Sequence, residues 1–181
     1  MAIKPTIYKL RIGLSDLERN YYDTLRLTVA LHPSETPERM MARVMAYCIN
    51  AQEGLVFTKG LSEVEEPDLW VRTMDDKTTL WIDVGEPVPE RIKKSSRKAD
   101  QVRVYSFNSK SDVWWQQGRN KFALHDVSIY RLAHEKITEL ANMLERTMDM
   151  SVTITGESAY VTTGLGELEV TWETLQSGNK S

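Results

Sequence analysis

Hydrophobic and polar residues alternate with a period of two along two segments near the N-terminus. Apolar side chains occupy every second position from Tyr8 to Leu14 and again from Leu25 to Leu31. This period is typical of strands with one buried face. The polar stretch between the two segments has the composition of a turn region, so we predict an N-terminal β-hairpin.

Helical spacing replaces the alternation after residue 36. Apolar residues that include Met40, Val44 and Cys48 fall on one side of a helix, so that Cys48 is expected in the core. Thr36 is a suitable N-cap, Pro37 suits the first helical position and Gly54 is a natural stop. Residues 55–61 are expected to form a short edge strand.

The middle of the chain contains two further strand patterns, Leu69 to Met74 and Thr78 to Val84. The second is almost continuously apolar, which favours a central position in a sheet. A short basic helix is predicted within residues 87–99, a strand over 101–107, a helix within 132–147, and two or three strands within 150–175. These elements predict an α/β (α+β) fold, with a mixed central sheet, flanking helices, an N-terminal β-hairpin and C-terminal strands. A single domain is expected over residues 1–175, with a disordered polar tail at 176–181.

Composition limits the class of protein. The chain has 181 residues and a single cysteine, and no segment approaches the roughly 20 apolar residues of a membrane span. The N-terminus has no secretory signal pattern. We therefore expect a cytoplasmic protein, a monomer, with no membrane contact.

Two aspartates in the middle of the chain are candidate metal ligands. Asp68 follows Pro67 and Asp83 ends the apolar strand pattern. A two-residue loop at Asp75 and Asp76 would place Asp68 opposite Asp83 on one face of the hairpin, with Cβ atoms about 4.5–5.5 Å apart. A four-residue loop keeps both on one face, whereas a three-residue loop puts them on opposite faces. The sequence leaves the loop length open.

The charge pattern agrees with such a site. Residues 61–90 are strongly acidic, and the following stretch to Arg103 is basic. Mg²⁺, or Mn²⁺ in its place, would use both carboxylates, and the Val84 carbonyl would supply another oxygen. Arg91, Lys94 and Lys98 follow helical spacing and would face a phosphate of nucleic acid. The alternative is structural: Asp68 starts a turn, Asp83 ends a strand, and the lysine-rich helix is a solvated face.

The segments PDLWV, WIDVGEP, ERIKKSSRKA and VRVYSF resemble those of the bacterial YaeQ family, over essentially the whole chain. This resemblance implies a variant of the restriction-endonuclease-like fold, whose pattern is Pro-Asp followed by an acid, any residue and lysine on the next strand. By that resemblance Pro67 and Asp68 match the first part and Asp83 matches the acid. Gly85 stands where the lysine is expected. The resemblance therefore implies that the catalytic lysine has moved to the helix, with Lys94 as first candidate and Lys98 as second, and that Glu38 is an auxiliary acid.

Two functions follow from these residues. The first is Mg-dependent hydrolysis of nucleic-acid phosphodiesters by Asp68, Asp83 and Lys94. The second is a non-catalytic regulator in transcription or repair that keeps the fold and binds nucleic acid or a protein partner.

A zinc site is not indicated because His32, His125 and His134 lack ligand spacing. The adjacent Trp114 and Trp115 are expected to pack in the protein rather than stack on bases.

Overall fold

The computed structural model describes residues 4–59 and 65–179. The strands of this part of the chain are β1 (Thr6–Asp16), β2 (Tyr21–Leu31), β3 (Val56–Phe57), β4 (Leu69–Arg72), β5 (Thr78–Val84), β6 (Gln101–Ser106), β7 (Ser128–Leu132), β8 (Thr147–Thr155), β9 (Ser158–Thr163) and β10 (Gly166–Gln176). The helices are α1 (Pro37–Asn50), α2 (Pro89–Ser95), α3 (Ser111–Phe122) and α4 (His134–Ala141). The fold is a mixed α+β fold. None of the helices in these residues is both long and apolar enough to cross a membrane.

The chain forms two compact units, each described here by itself. Among the described residues, unit 1 contains 4–49 and 133–172, and unit 2 contains 50–59, 65–132 and 173–179. The single domain over residues 1–175 stays a prediction.

Unit 1 is built on the N-terminal hairpin. Strands β1 and β2 pair antiparallel from Thr6↔Leu31 to Asp16↔Tyr21, which confirms the predicted hairpin. β8 runs parallel to β1, and β9 and then β10 add antiparallel neighbours, so that the order is β2-β1-β8-β9-β10. Alternate residues of β1 and β8 are buried, and the residues between them face solvent. One face of this sheet therefore belongs to the core and the other is open.

Helix α1 begins as the sequence predicted. The Arg39 amide donates to Thr36 Oγ1 at 3.2 Å, which is an N-cap contact, and Pro37 is the first helical residue. Cys48 is fully buried, as expected. The helix ends at Asn50, before Gly54, which has a φ of 86°.

Unit 2 places β5 inside its sheet. The strand order is β7-β6-β5-β4-β3, with β5 antiparallel to β4 and parallel to β6. Neighbours on both sides explain why β5 is nearly all apolar. β3 pairs with β4 alone, so the expected edge strand is confirmed at Val56–Phe57, while residues 60 and 61 of that prediction lie outside the described residues.

Two elements of unit 2, α3 and β7, were not predicted from the sequence. The rings of Trp114 and Trp115 in α3 lie 4.9 and 6.0 Å from that of Phe122, so both tryptophans pack in the protein as expected. The tail was expected to be disordered, but it makes hydrogen bonds as far as residue 179. Gln176 Nε2 donates to the Phe122 carbonyl at 3.0 Å, and the Gly178 amide donates to Ser128 Oγ at 2.9 Å. Residues 180 and 181 lie outside the described residues.

Candidate functional site

The β4–β5 hairpin brings Asp68 and Asp83 together by an unexpected route. The Thr73 amide donates to the Lys77 carbonyl at 2.8 Å, so the loop has three residues, 74 to 76. By itself, a loop of three residues puts the two aspartates on opposite faces of the hairpin. A β-bulge between Val71 and Arg72 shifts the register by one residue, and the ladder ends at Leu69↔Ile82. The bulge offsets the odd loop. Asp68 and Asp83, each one residue beyond the Leu69↔Ile82 pair, are therefore placed next to each other.

Asp83 is almost fully buried and is ion-paired with Arg91. Arg91 Nε donates to Oδ2 and Nη2 to Oδ1, both at 3.0 Å, while Nη2 also donates to the Glu66 carbonyl at 3.0 Å. Burial raises the pKa of the Asp83 carboxyl, the charge of Asp68 adds to this, and Arg91 opposes it. The Val84 amide, next along the chain from Asp83, donates to Asp68 Oδ2 at 2.7 Å, so the Asp68 carboxylate lies beside the end of β5.

Asp68 is held mainly by backbone groups. It is 6% exposed, and its Oδ2 accepts a hydrogen bond from the Val84 amide at 2.7 Å. Its own amide donates to the Ile82 carbonyl at 2.9 Å, and its carbonyl accepts from the Thr58 amide at 3.1 Å. Asp68 therefore ties the beginning of β4 to the end of β5. The contact of Val84 with Asp68 is through its amide, and the use of the Val84 carbonyl for a metal stays a prediction.

The three basic residues predicted to share a helix face have different surroundings. Arg91 turns toward Asp83, whereas Lys98 lies beyond the end of α2, with Nζ 3.2 Å from Glu65 Oε2 and 5.5 Å from the centre of the Trp81 ring. Lys94 is exposed, and within residues 4–59 and 65–179 its side chain makes no hydrogen bond or ion pair. Lys93 is exposed as well.

Gly85 occupies the position where the resemblance implies lysine. Its φ is 126°, a backbone conformation that side-chain-bearing residues rarely adopt, although a Cβ there would meet no atom within 4 Å. Backbone conformation, not lack of space, therefore disfavours a lysine.

The next residue, Glu86, was not singled out from the sequence. Its Oε2 accepts from the amides of Phe107 and Asn108 at 2.9 and 3.3 Å, which fixes the loop after β6.

The charge around Arg91 is predominantly negative. Burial lowers the pKa of the Arg91 guanidinium, but the hydrogen bonds and charge of Asp83, with smaller effects from Asp68 and Glu65, outweigh burial and raise it. Asp68 and Asp83 are two buried carboxylates in negatively charged surroundings. They are suitable ligands for one hard divalent cation, because Mg²⁺ often takes one or two carboxylates and keeps several waters. Among the described residues no group of three or more His, Cys, Asp or Glu side chains is arranged to hold a metal ion.

Glu38, the predicted auxiliary acid, lies in the first turn of α1, in unit 1, and is half-buried.

The fold and site thus define a mixed α+β protein with two neighbouring buried aspartates and a paired arginine. The chain belongs to the YaeQ family: the family model described as "YaeQ protein" matches residues 1–172. It is 38% identical over 172 residues to the proteins named "Uncharacterized protein YaeQ" of Salmonella typhi and Escherichia coli K12, covering 94% of this chain and 95% of each relative.

Two solved structures are similar to this chain over almost its whole length. The YaeQ protein from Xanthomonas axonopodis pv. citri has a TM-score of 0.92 at 30% identity, covering 96% of this chain and 99% of that one. The YaeQ protein from Pseudomonas syringae has a TM-score of 0.92 at 33% identity, covering 98% of both chains. The curated relatives are described as uncharacterised, so membership gives the family and fold without an activity.

Proposed function

We propose that this protein hydrolyses phosphodiester bonds of nucleic acid with the help of Mg²⁺ or Mn²⁺, on a variant of the restriction-endonuclease-like fold. The observation that carries the proposal is the position of Asp68 and Asp83, both buried and each one residue beyond the Leu69↔Ile82 pair of two antiparallel strands. Asp68 and Asp83 would hold the cation. When bound, such an ion supplies Lewis acidity toward the scissile phosphate.

Arg91, Asp68 and Lys94 would each have a further role in this reaction. Arg91 favours the ionised form of the buried Asp83, since the guanidinium opposes the rise in pKa caused by burial. The second carboxylate, that of Asp68, is held in place by its hydrogen bond from the Val84 amide. Lys94 extends into solvent from α2, where its ammonium is available for a phosphate of the substrate. Arg91 was predicted as a phosphate contact, whereas its Nε and Nη2 donate to the Asp83 carboxylate.

Calorimetric titration with MgCl₂ and MnCl₂ tests the cation site, and incubation with labelled single- and double-stranded DNA and RNA tests hydrolysis. The parent should bind one cation and cleave at least one substrate, with both properties lost in Asp68→Asn and in Asp83→Asn. Lys94→Gln should keep cation binding and lose cleavage by 10²-fold or more. Arg97→Gln changes an exposed charge on the same segment and is the matched control.

A second function, non-catalytic binding of nucleic acid or a protein partner in transcription or repair, is favoured by one specific observation. The Asp83 carboxylate already has a bidentate guanidinium partner, as a purely structural aspartate would. Absence of both cation binding and cleavage, together with retained binding of nucleic acid, would reject hydrolysis in favour of this function.

A further inference from the structure

The open face of the unit 1 sheet has an ordered arrangement of side chains. The strand registers place three rows across it, each one crossing several strands. An aromatic row contains Tyr22, Ser15, Thr153 and Tyr160; a small-residue row contains Thr24, Gly13, Ser151 and Thr162; and a cationic row contains Arg26, Arg11 and Asp149. Lys9 lies two positions beyond Arg11 on β1, on the same face.

The two tyrosines project from this face. Tyr22 is 60% exposed and Tyr160 is 50% exposed, and they stand at opposite ends of one row on β2 and β9. Strands spaced about 4.8 Å apart put them about 14 Å from each other. Exposed aromatic side chains on a sheet are the usual stacking platforms for unpaired bases, because every base presents a π-face.

The cationic row contains an unfavourable pair. Arg11 and Arg26 are directly opposed on β1 and β2, an arrangement that destabilises a sheet when both residues carry the same charge. Arg11 Nε is 2.8 Å from Asp149 Oδ1, whereas the exposed side chains of Arg26 and Lys9 make no ion pair or hydrogen bond with residues 4–59 and 65–179. An anion at this place would relieve the repulsion.

The same place is a depression. It has a volume of about 250 Å³ and is lined by Lys9, Arg11, Arg26, Thr28, Thr147 and Asp149 among others. Three cations, one carboxylate and two hydroxyl side chains surround it, so its charge is complementary to phosphate. Glu167 and Glu169 lie on β10, opposite Thr162 and Tyr160, and limit the positive side of this face to β1 and β2.

We infer that this face binds single-stranded nucleic acid, with backbone phosphates at Arg26, Arg11 and Lys9 and bases stacked on Tyr22 and Tyr160. The aromatic and cationic rows are four residues apart along a strand, which is about 13 Å. Gly13 and its small neighbours keep the floor between them low. Binding at this face does not require hydrolysis or a metal ion in unit 2.

Fluorescence anisotropy with labelled dT15 and rU15, in EDTA and over a range of salt, tests the inference. Arg26→Gln should weaken binding about tenfold and reduce the slope of log K against log salt by about 0.7, which corresponds to one phosphate. Tyr22→Ala and Tyr160→Ala should each weaken binding about tenfold, with Tyr→Phe retaining affinity. The matched control, Lys136→Gln, removes a partly exposed charge of α4 that pairs with Glu139.

Protein stability separates binding from folding. Arg26→Gln removes one member of a like-charge pair, so its melting temperature should equal or exceed that of the parent. Equal affinity of the parent, Arg26→Gln and Tyr160→Ala would overturn the inference, as would no binding of either strand at 50 mM salt. Neither result would bear on cleavage, which is measured separately.

Discussion

Arg91 holds Asp83 with two hydrogen bonds, each 3.0 Å long, from Nε to one carboxylate oxygen and from Nη2 to the other. The side chain of Asp83 is 4% exposed and that of Arg91 is 31% exposed. This bidentate geometry is the strongest form of a carboxylate pair. The pair joins the end of β5 to the first turn of α2, and so fixes the orientation of the basic helix.

Replacing Arg91 by Gln should lower the free energy of unfolding by about 2–3 kcal/mol at pH 7, because it leaves Asp83 buried without its counter-charge. The expected loss of unfolding free energy is smaller than that for a fully buried pair because the Arg91 side chain is partly exposed. Urea unfolding followed by circular dichroism measures it. Arg97→Gln, an exposed change on the same segment, should stay within about 0.5 kcal/mol of the parent. Equal stability of the two variants would mean that the pair contributes nothing.

The pKa of Asp83 should lie above the ordinary value of 3.8 in the parent and rise further in Arg91→Gln. An acid whose pKa is raised on folding costs stability above its unfolded pKa, and this cost disappears as the pH falls through the folded pKa toward 3.8. The stability deficit of Arg91→Gln should therefore shrink between pH 7 and pH 4. A ¹³C NMR titration of the Asp83 carboxyl measures the pKa directly. A pKa at or below 3.8 in both proteins would contradict this prediction.

The β4–β5 loop gives a matched pair of variants. Asp76 has a φ of 62°, in the left-handed region, so Asp76→Gly removes backbone strain and should stabilise the protein by up to about 1 kcal/mol. Asp75 is outside that region, and Asp75→Gly should cost about 0.5–1 kcal/mol through unfolded-chain entropy. Thermal unfolding of the two variants checks the sign. If both change stability in the same direction, the positive φ at Asp76 has no energetic effect.

The sequence predicted the elements whose signals are local. The β1–β2 hairpin follows from strict alternation, and the start of α1 follows from Thr36 and Pro37, because an N-cap depends only on the residues beside it. Helix α3 has no such signal. Gly118 lies inside it and is fixed by tertiary packing, since an added Cβ would lie 2.2 Å from the Phe122 ring as that ring is placed. The five-residue β7 is too short for its period to stand out.

The candidate site was predictable only in part. The adjacency of Asp68 and Asp83 was expected from counting along a hairpin, but the actual loop has three residues and the bulge at Val71 restores the register. A bulge depends on sheet twist and packing, which a single sequence does not reveal. The pairing of Arg91 with Asp83 depends on how α2 is oriented against β5. Helical spacing grouped Arg91 with Lys94 and Lys98, whereas tertiary structure gives each of them different surroundings.

Asp68→Asn provides the most direct test of the cation site. An asparagine keeps an oxygen that can accept from the Val84 amide, which Asp68 Oδ2 now accepts at 2.7 Å, and it removes a charge that raises the pKa of Asp83. In EDTA the melting temperature of Asp68→Asn should therefore equal or exceed that of the parent.

Magnesium should change that comparison. A ligand that binds only the folded state adds about 2.7 kcal/mol at one hundred times its dissociation constant, so Mg²⁺ should raise the melting temperature of the parent and not that of Asp68→Asn. Calcium-free buffers and a KCl series at matched ionic strength control for general salt effects. A parent whose melting temperature does not respond to Mg²⁺ or Mn²⁺ would leave the two aspartates a structural role, with Asp68 tying β4 to β5 and Asp83 anchoring α2 through Arg91.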